Sequence, residues 1–223
     1  MVDKPMLTPA GLVDALGILT GVARATVVDI DRKLVAAGLR TKGGRGLSAP
    51  RMTALDSAHL MTALLAVRQA NQSAAAVQRY RATEADANRS TEGFYTATGL
   101  GDLALPDRHS FVDALAALVH SAARGALREL IATSGADARP QIEMFAFTRA
   151  TYGRIRVYAL PDGRSAHVEY LPSAVPTMRK SRTPPPLGMD LAAGDLEQSC
   201  RLTERTLFGI ADRLAEENES DRN

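Results

Sequence analysis

ARATVVDIDRKLVAAGLRTKGGRGLSAPRMT, residues 23 to 53, is the stretch that decides the predicted fold of this chain. Its first half repeats apolar residues at three- and four-residue spacing, which is the pattern of a helix with one buried face. Gly38 follows at the point where a helix end favours a residue that tolerates positive φ. The second half is a basic loop rich in glycine, which suits a flexible hairpin. The apolar residues of the helix are Val27, Ile30, Leu34, Val35 and Leu39.

A shorter helix is predicted just upstream of this stretch. Thr8 can cap its first amide groups, and Pro9 is tolerated in a first turn. Leu12, Leu16 and their apolar neighbours share one face before Gly21 interrupts the pattern. The order of helix, short turn with glycine and helix is the helix-turn-helix arrangement, in which the first helix braces the second against the major groove.

The string ATVVDIDRKLVAAGLRTKGGRG resembles the recognition helix and wing of winged helix-turn-helix regulators of the GntR type. The shared features are a Thr-Val pair near the helix start, Arg-x-Leu, small residues, Gly-Leu and a basic glycine-rich wing. The resemblance covers residues 9–53 only, and the usual additional N-terminal helix is missing or is supplied by residues 54–82. It implies that the head binds double-stranded DNA.

Eight side chains in the head are candidates for DNA contact. On the helix, the free face offers groups for phosphates and base edges, and around the loop the cations suit phosphates or the minor groove. The alternatives are an ordinary solvated helix face and a flexible basic loop. Asp31 weakens the interpretation, because carboxylates repel phosphates, and we expect it to orient a neighbouring basic side chain. The candidates are Arg24, Thr26, Arg32 and Lys33 on the helix and Arg40, Lys42, Arg45 and Arg51 around the loop.

The remainder of the chain divides into four segments by periodicity. Residues 54–85 form a connecting or oligomerisation segment, in which a long helix is predicted over 54–83, beginning with a capping box at Thr53 and Asp56. Residues 86–171 predict an α+β module, with a buried helix over 110–133 followed by three strands of two-residue alternation. The apolar strand residues are Ile142, Met144 and Ala146, then Ile155 and Val157, then Ala166, Val168 and Tyr170, with Pro161-Asp162-Gly163 as a hairpin turn.

The last two segments are a linker and a final helix. Residues 172–188 are rich in proline and carry a basic run, which is typical of an extended linker. Residues 189–223 predict an amphipathic helix from about residue 190, with Cys200 on its apolar stripe, followed by an acidic tail. Residues 1–52 carry eight Lys or Arg against four Asp, and residues 189–223 carry four Arg against nine Asp or Glu. This charge separation favours a phosphate-binding head and a solvated tail.

Composition predicts a mainly α fold with a small antiparallel sheet, an α+β class. Apolar residues make up 45% of the chain and aromatic residues 4%, with no tryptophan, and such a composition favours helices. The single cysteine, Cys200, excludes an internal disulfide. With no secretory leader or membrane-spanning run, we expect a cytoplasmic protein.

No motif indicates an enzyme, and we predict no catalytic residue, no metal site and no cofactor. The four histidines do not pair at metal-ligand spacing. The glycine-rich loop lacks the Lys-Ser/Thr pair of nucleotide-binding loops and follows a helix instead of a strand. Asp107 and Ser110 are better explained as residues at the start of a helix.

We therefore predict a sequence-preferring, double-stranded DNA-binding protein, a transcriptional regulator that acts as a homo-oligomer, with a dimer favoured. An alternative is the DNA-packaging recognition subunit of a phage or prophage, similar to a small terminase subunit. A second alternative is a small-molecule-sensing module in residues 94–171 that is coupled to the head. A pocket formed by Phe111, Phe145, Phe147, Tyr152 and Tyr158 would favour that alternative.

Overall fold

The computed structural model describes residues 7–42, 50–98, 100, 105–106, 108–132, 141–147, 151–158, 165–172 and 199–220. Helices pack on a five-stranded antiparallel sheet, which confirms the predicted α+β class. The helices are α1 (Pro9–Thr20), α2 (Arg24–Ala36), α3 (Ala54–Ala66), a 3₁₀ helix (Ala70–Gln72), α4 (Ser73–Arg81), α5 (Phe94–Ala97), α6 (Phe111–Ala123), α7 (Ala126–Ala132) and α8 (Glu204–Ser220). The strands are β1 (Thr83–Ala85), β2 (Ile142–Phe147), β3 (Tyr152–Val157), β4 (Ala166–Pro172) and β5 (Ser199–Thr203).

The sheet has the strand order β1-β4-β3-β2-β5, with every neighbouring pair antiparallel. Its three central strands are the ones that two-residue alternation predicts. The predicted turn at 161–163 lies outside the described residues, but Val157 lies opposite Ala166 on the adjoining strand, as a hairpin requires. The two edge strands, β1 and β5, are additions to the predicted three-stranded sheet.

Alternation sorts the strand side chains onto two different faces. The inner face is apolar and buried; Met144, Ile155 and Val168 are cross-strand neighbours on it. The outer face carries aromatic and charged side chains, among them Arg154, which donates to Glu169 at 2.7 Å. The helices therefore gain their hydrophobic contact from the inner face.

The hydrophobic core is continuous from α1 to α8. Leu12 of α1 and Ile210 of α8 belong to one cluster with the inner face of the sheet. Helix α1 packs on α8, where a Cβ on Gly209 would lie 2.5 Å from Cδ2 of Leu19. The predicted segment boundaries at residues 53 and 85 therefore do not correspond to gaps in the packing.

The predicted helix starts at Thr8, Thr53 and Ser110 are confirmed. Thr8 Oγ1 accepts from the amide of Gly11 at 3.1 Å. Thr53 and Ser110 each form a capping box with the aspartate three residues later. These hydrogen bonds satisfy amide groups that the first turn of a helix leaves without partners.

The predicted long helix over 54–83 is interrupted, and so is the predicted helix over 110–133. Helix α3 ends where Val67 adopts an extended conformation, and the short 3₁₀ helix leads into α4. The break lets α4 turn back and bury Tyr80 beside α3 and α6, which one straight helix of about 45 Å could not do. Helix α6 is followed by Gly125, whose φ of 87° separates it from α7.

The predicted C-terminal helix begins later than expected, and Cys200 does not lie on it. Residues 199–203 form β5, with Cys200 opposite Ala146 at the edge of the sheet. Helix α8 starts at Glu204, whose Oε2 accepts from the amide of Ile142 at 3.0 Å. Because strand and helix patterns coincide over a few residues, the helical spacing hid the short strand.

Gly153 is a point at which the fold tolerates no side chain. Its Cβ position lies 2.6 Å from Cδ2 of Phe111, and that ring is fully buried. Gly153→Ala is expected to lower the free energy of unfolding by about 1–3 kcal/mol, because the ring has no room to move. Urea denaturation measures the change. Gly11→Ala is the control, since its Cβ would lie 3.4 Å from the nearest atom and alanine favours a helix; equal losses in the two variants would contradict this account of the packing.

Candidate nucleic-acid interface

Helices α1 and α2 are joined by a turn of three residues, as the sequence predicts. Gly21 ends α1 with a φ of 72°, and its amide donates to the carbonyl of Gly17 at 3.0 Å. A Cβ on Gly17 would lie 3.5 Å from the carbonyl oxygen of Val22 and 3.9 Å from Cα of Arg24. Gly21 therefore supplies the left-handed backbone conformation of the turn, while at Gly17 the start of the second helix comes within van der Waals distance of the first.

Helix α2 has one buried side and one exposed side. The predicted core residues Val27, Ile30 and Leu34 are buried, as is Leu39 beyond the helix end, while Val35 is half-buried. Helices α1, α3 and α4 and the 3₁₀ helix cover the buried side. The predicted contact residues Arg24, Thr26, Arg32 and Lys33 are all exposed, together with Asp29.

Arg24 forms an ion pair with Asp14 of α1. Its Nε lies 2.6 Å from Asp14 Oδ1, and the two side chains are 63% and 48% exposed. Ion pairs at such exposure contribute little to stability. The guanidinium can therefore exchange the carboxylate for another anion at small cost.

The structure removes Arg40 from the predicted contact surface. Arg40 is 8% exposed, and its Nη2 donates to Asp31 Oδ2 at 2.8 Å, while its Nε faces Oδ1. Its Nη1 also contacts Met52 Sδ at 2.9 Å. Asp31 does orient a neighbouring cation, as the sequence suggested, but that cation is held inside the protein, where a phosphate does not reach it.

The predicted wing is described only at its two ends. Lys42 and Arg51 are exposed on either side of residues 43–49. That stretch, which includes Arg45, lies outside the described residues. The returning chain is held near α1, since the amide of Met52 donates to the carbonyl of Leu7 at 3.0 Å. The two ends of the loop are thus fixed to the body of the protein.

Asp56 of α3 holds the chain at Thr41, just before residues 43–49. The sequence predicted only its capping box with Thr53. Its carboxylate accepts from the amide and hydroxyl of Thr41, at 2.7 and 3.0 Å, and from the amide and hydroxyl of Thr53, at 3.0 and 2.8 Å. Burial alone would raise the pKa of Asp56, but the hydrogen bonds from Thr41 and Thr53 outweigh burial and lower the pKa. One charged group therefore joins the exit of α2 to the start of α3.

A cavity of about 410 Å³ lies elsewhere, beside the segment 85–96 and the residues that precede α6. Tyr95 Oη on its wall lies 2.7 Å from His109 Nε2 and also contacts the hydroxyl of Tyr170, and burial raises the pKa of Tyr95 to about 12. His109 Nδ1 lies 2.9 Å from the carbonyl of Pro106, which only accepts, so in the neutral imidazole Nε2 is free to accept from one phenol. These polar groups satisfy one another.

The pocket of five aromatic residues that would favour a sensing module is not formed. Phe111 is buried against Gly153 on the inner face of the sheet, whereas Phe145 lies opposite Arg154 on the outer face. One cavity cannot be lined by side chains on both sides of a sheet. A sensing role for residues 94–171 stays a prediction, and the cavity beside Tyr95 is the place where the described residues leave room for a ligand.

The described residues hold no helix that is both long and apolar enough to cross a membrane. Within the same ranges, no group of three or more His, Cys, Asp or Glu side chains is placed to hold a metal ion. Cys200 is a free, half-buried thiol at the edge of the sheet.

Asp56→Asn is expected to lower the free energy of unfolding by about 2–3 kcal/mol at pH 7, because an amide cannot accept all four hydrogen bonds. The lowered pKa of Asp56 means that its contribution is present above the unfolded pKa of about 3.9 and is lost as pH falls through the folded value. The difference from wild type should therefore shrink below about pH 4. Urea denaturation from pH 7 to pH 3 measures it.

Asp113→Asn is the matched control, because among the described residues Asp113 accepts from just the amide and hydroxyl of Ser110 in its capping box, both at 2.8 Å. We expect a loss of about 1 kcal/mol there. Equal losses at neutral pH in the two variants would show that the hydrogen bonds to Thr41 add nothing.

Comparison of the chain with protein-family models, with curated proteins and with solved structures finds no match. The resemblance of residues 9–53 to winged helix-turn-helix regulators therefore stays a prediction from the sequence. A functional proposal for this chain rests on the geometry and charge of its own residues.

Proposed function

We propose that the chain is a sequence-preferring, double-stranded DNA-binding protein that places α2 in the major groove, and that its task is transcriptional regulation. The observation that carries this proposal is the division of α2 into two sides. Its buried side is fully used by the core, while the other side presents Arg24, Thr26, Arg32 and Lys33 to solvent. Arginine and lysine contact phosphates and guanine edges, and threonine contacts either.

The N-terminal end of α2 favours this placement. Residues 23 to 26 are all exposed, and the Ala23 side chain cannot cap the first amide groups. Recognition helices contact base edges with their N-terminal residues, and the partial positive charge of a helix N-terminus attracts phosphate. Arg24, held only by an exposed ion pair with Asp14, is at this end.

Two further cations lie at the ends of the predicted wing. Lys42 and Arg51 are exposed, and the hydrogen bonds of Thr41 and Met52 hold the backbone beside them. A cation whose backbone is already fixed loses less conformational entropy when it binds a phosphate. We therefore include Lys42 and Arg51 in the proposed interface and leave Arg40 out of it.

The test starts with selection of bound fragments from random duplex DNA, followed by fluorescence anisotropy titration of the recovered duplex between 50 and 200 mM salt. Arg32→Ala with Lys33→Ala is expected to weaken binding and to lower the slope of log affinity against log salt by about 1.8, or about 0.9 for each phosphate that the protein no longer neutralises. Absence of any enriched sequence would contradict sequence preference.

The matched control is Arg124→Ala with Arg205→Ala, which removes two exposed arginines, one just after α6 and one on α8, and changes the net charge equally. A specific role for α2 requires that this control leaves the slope within about 0.3 of wild type. If both double variants lower the slope alike, the binding follows overall charge and α2 is not a recognition helix.

The alternative of a DNA-packaging recognition subunit differs from the regulator in its assembly. A regulator that reads a palindromic site is expected to form a dimer, because two heads double the contacts along the duplex. A packaging subunit assembles into a ring around or beside the DNA. We expect a dimer when light scattering measures the mass of the full chain with and without the selected duplex, and a closed ring of many subunits would favour packaging instead.

A further inference from the structure

A second basic surface flanks α2, on the segment between α3 and β1. From Ser57 to Thr83 the chain contains no aspartate or glutamate, although it includes three arginines. It is the longest acid-free stretch of a chain in which 25 of 223 residues are acidic. Most of α3 and one side of α4 are buried, whereas all three arginines of the segment are exposed to solvent.

The exposed polar side chains of this segment are arginines and amides. Arg68 and Arg79 are exposed, and neither makes an ion pair or a side-chain hydrogen bond in the described part of the chain. Gln78 and Arg79 are adjacent exposed residues of α4, and Gln72, also exposed, directly precedes that helix. The amide–arginine surface, as we define it, consists of Arg68, Gln69, Asn71, Gln72, Gln78 and Arg79.

Packing places this surface beside α2. The 3₁₀ helix Ala70–Gln72 and α4 both contact α2. Val28 of α2, Ala70 and Ala74 are half-buried against the same core, so the elements that carry the surface are held rigidly to the helix. A phosphate strand bordering the groove that α2 enters would meet neighbouring side chains of the protein on this flank.

We propose that the amide–arginine surface contacts the phosphate backbone of the DNA beside α2; this inference rests on the proposed function. Guanidinium groups pair with phosphate oxygens, and glutamine and asparagine amides donate to the same oxygens. An acidic protein would pair with the arginines but would leave the intervening amides without a role. The amide and arginine composition therefore favours a phosphate backbone.

The experiment uses the full chain and the duplex recovered by selection, with anisotropy titrations from 50 to 200 mM salt. Arg68→Ala with Arg79→Ala is expected to lower the salt slope by about 1.8. Wild-type affinity should then fall about 12-fold more than variant affinity over this range, since fourfold salt raised to the power 1.8 is about 12. Arg68→Lys with Arg79→Lys keeps both charges and should retain the wild-type slope.

The control Arg124→Ala with Arg205→Ala should leave the slope unchanged, and urea midpoints verify that each variant is folded. A wild-type slope in the Arg68 and Arg79 alanine variant would overturn the inference. If the Arg68 and Arg79 alanine variant keeps the wild-type slope while the Arg32 and Lys33 variant loses binding, α2 binds the DNA without this flank. The opposite result would retain the flank and reject the role of α2, so the two failures are distinguishable.

Discussion

Helix α3 is the element on which the rest of the structure depends, because it is buried on nearly every side. Ten of its thirteen residues are buried. A helix that is covered all round needs a neighbour in every direction, and α2, α4, α6, β2 and β5 supply them. Helices α1 and α2 and the sheet therefore share one core, and the orientation of α2 is set by the same packing that holds the sheet.

Burial of α3 also brings polar groups into the core, and one of them, Asp56, holds the exit of α2. Its carboxylate accepts hydrogen bonds from Thr41, while burial lowers the pKa of His59 one turn further along α3. A buried carboxylate without partners would cost several kcal/mol, so Asp56 needs the chain beyond α2 in its place. The core and the segment that leads into the basic loop consequently stabilise each other.

Local patterns predicted the elements, whereas contacts between distant residues were not predictable. The period of two placed Met144 and Ile155 on one face of a sheet, and capping chemistry placed the start of α3 at Thr53. The ion pair of Arg40 with Asp31 forms only because the chain turns beyond the end of α2, and no spacing rule joins residues nine apart. Strand β1 has three residues, too few to show a period.

Charge pairing distinguishes the exposed cations of α2 from the arginines of the sheet. On the outer face of the sheet, Arg154 is paired with Glu169 and Arg201 with Glu143, two carboxylates that are almost fully buried. These arginines stay paired in the folded protein, because releasing either one would leave a buried carboxylate without a counter-ion. Among the described residues, no exposed cation of α2 forms an ion pair with a buried carboxylate, so these cations can exchange water for phosphate. The net charge of +2 does not reveal this difference, because it counts paired and unpaired arginines alike.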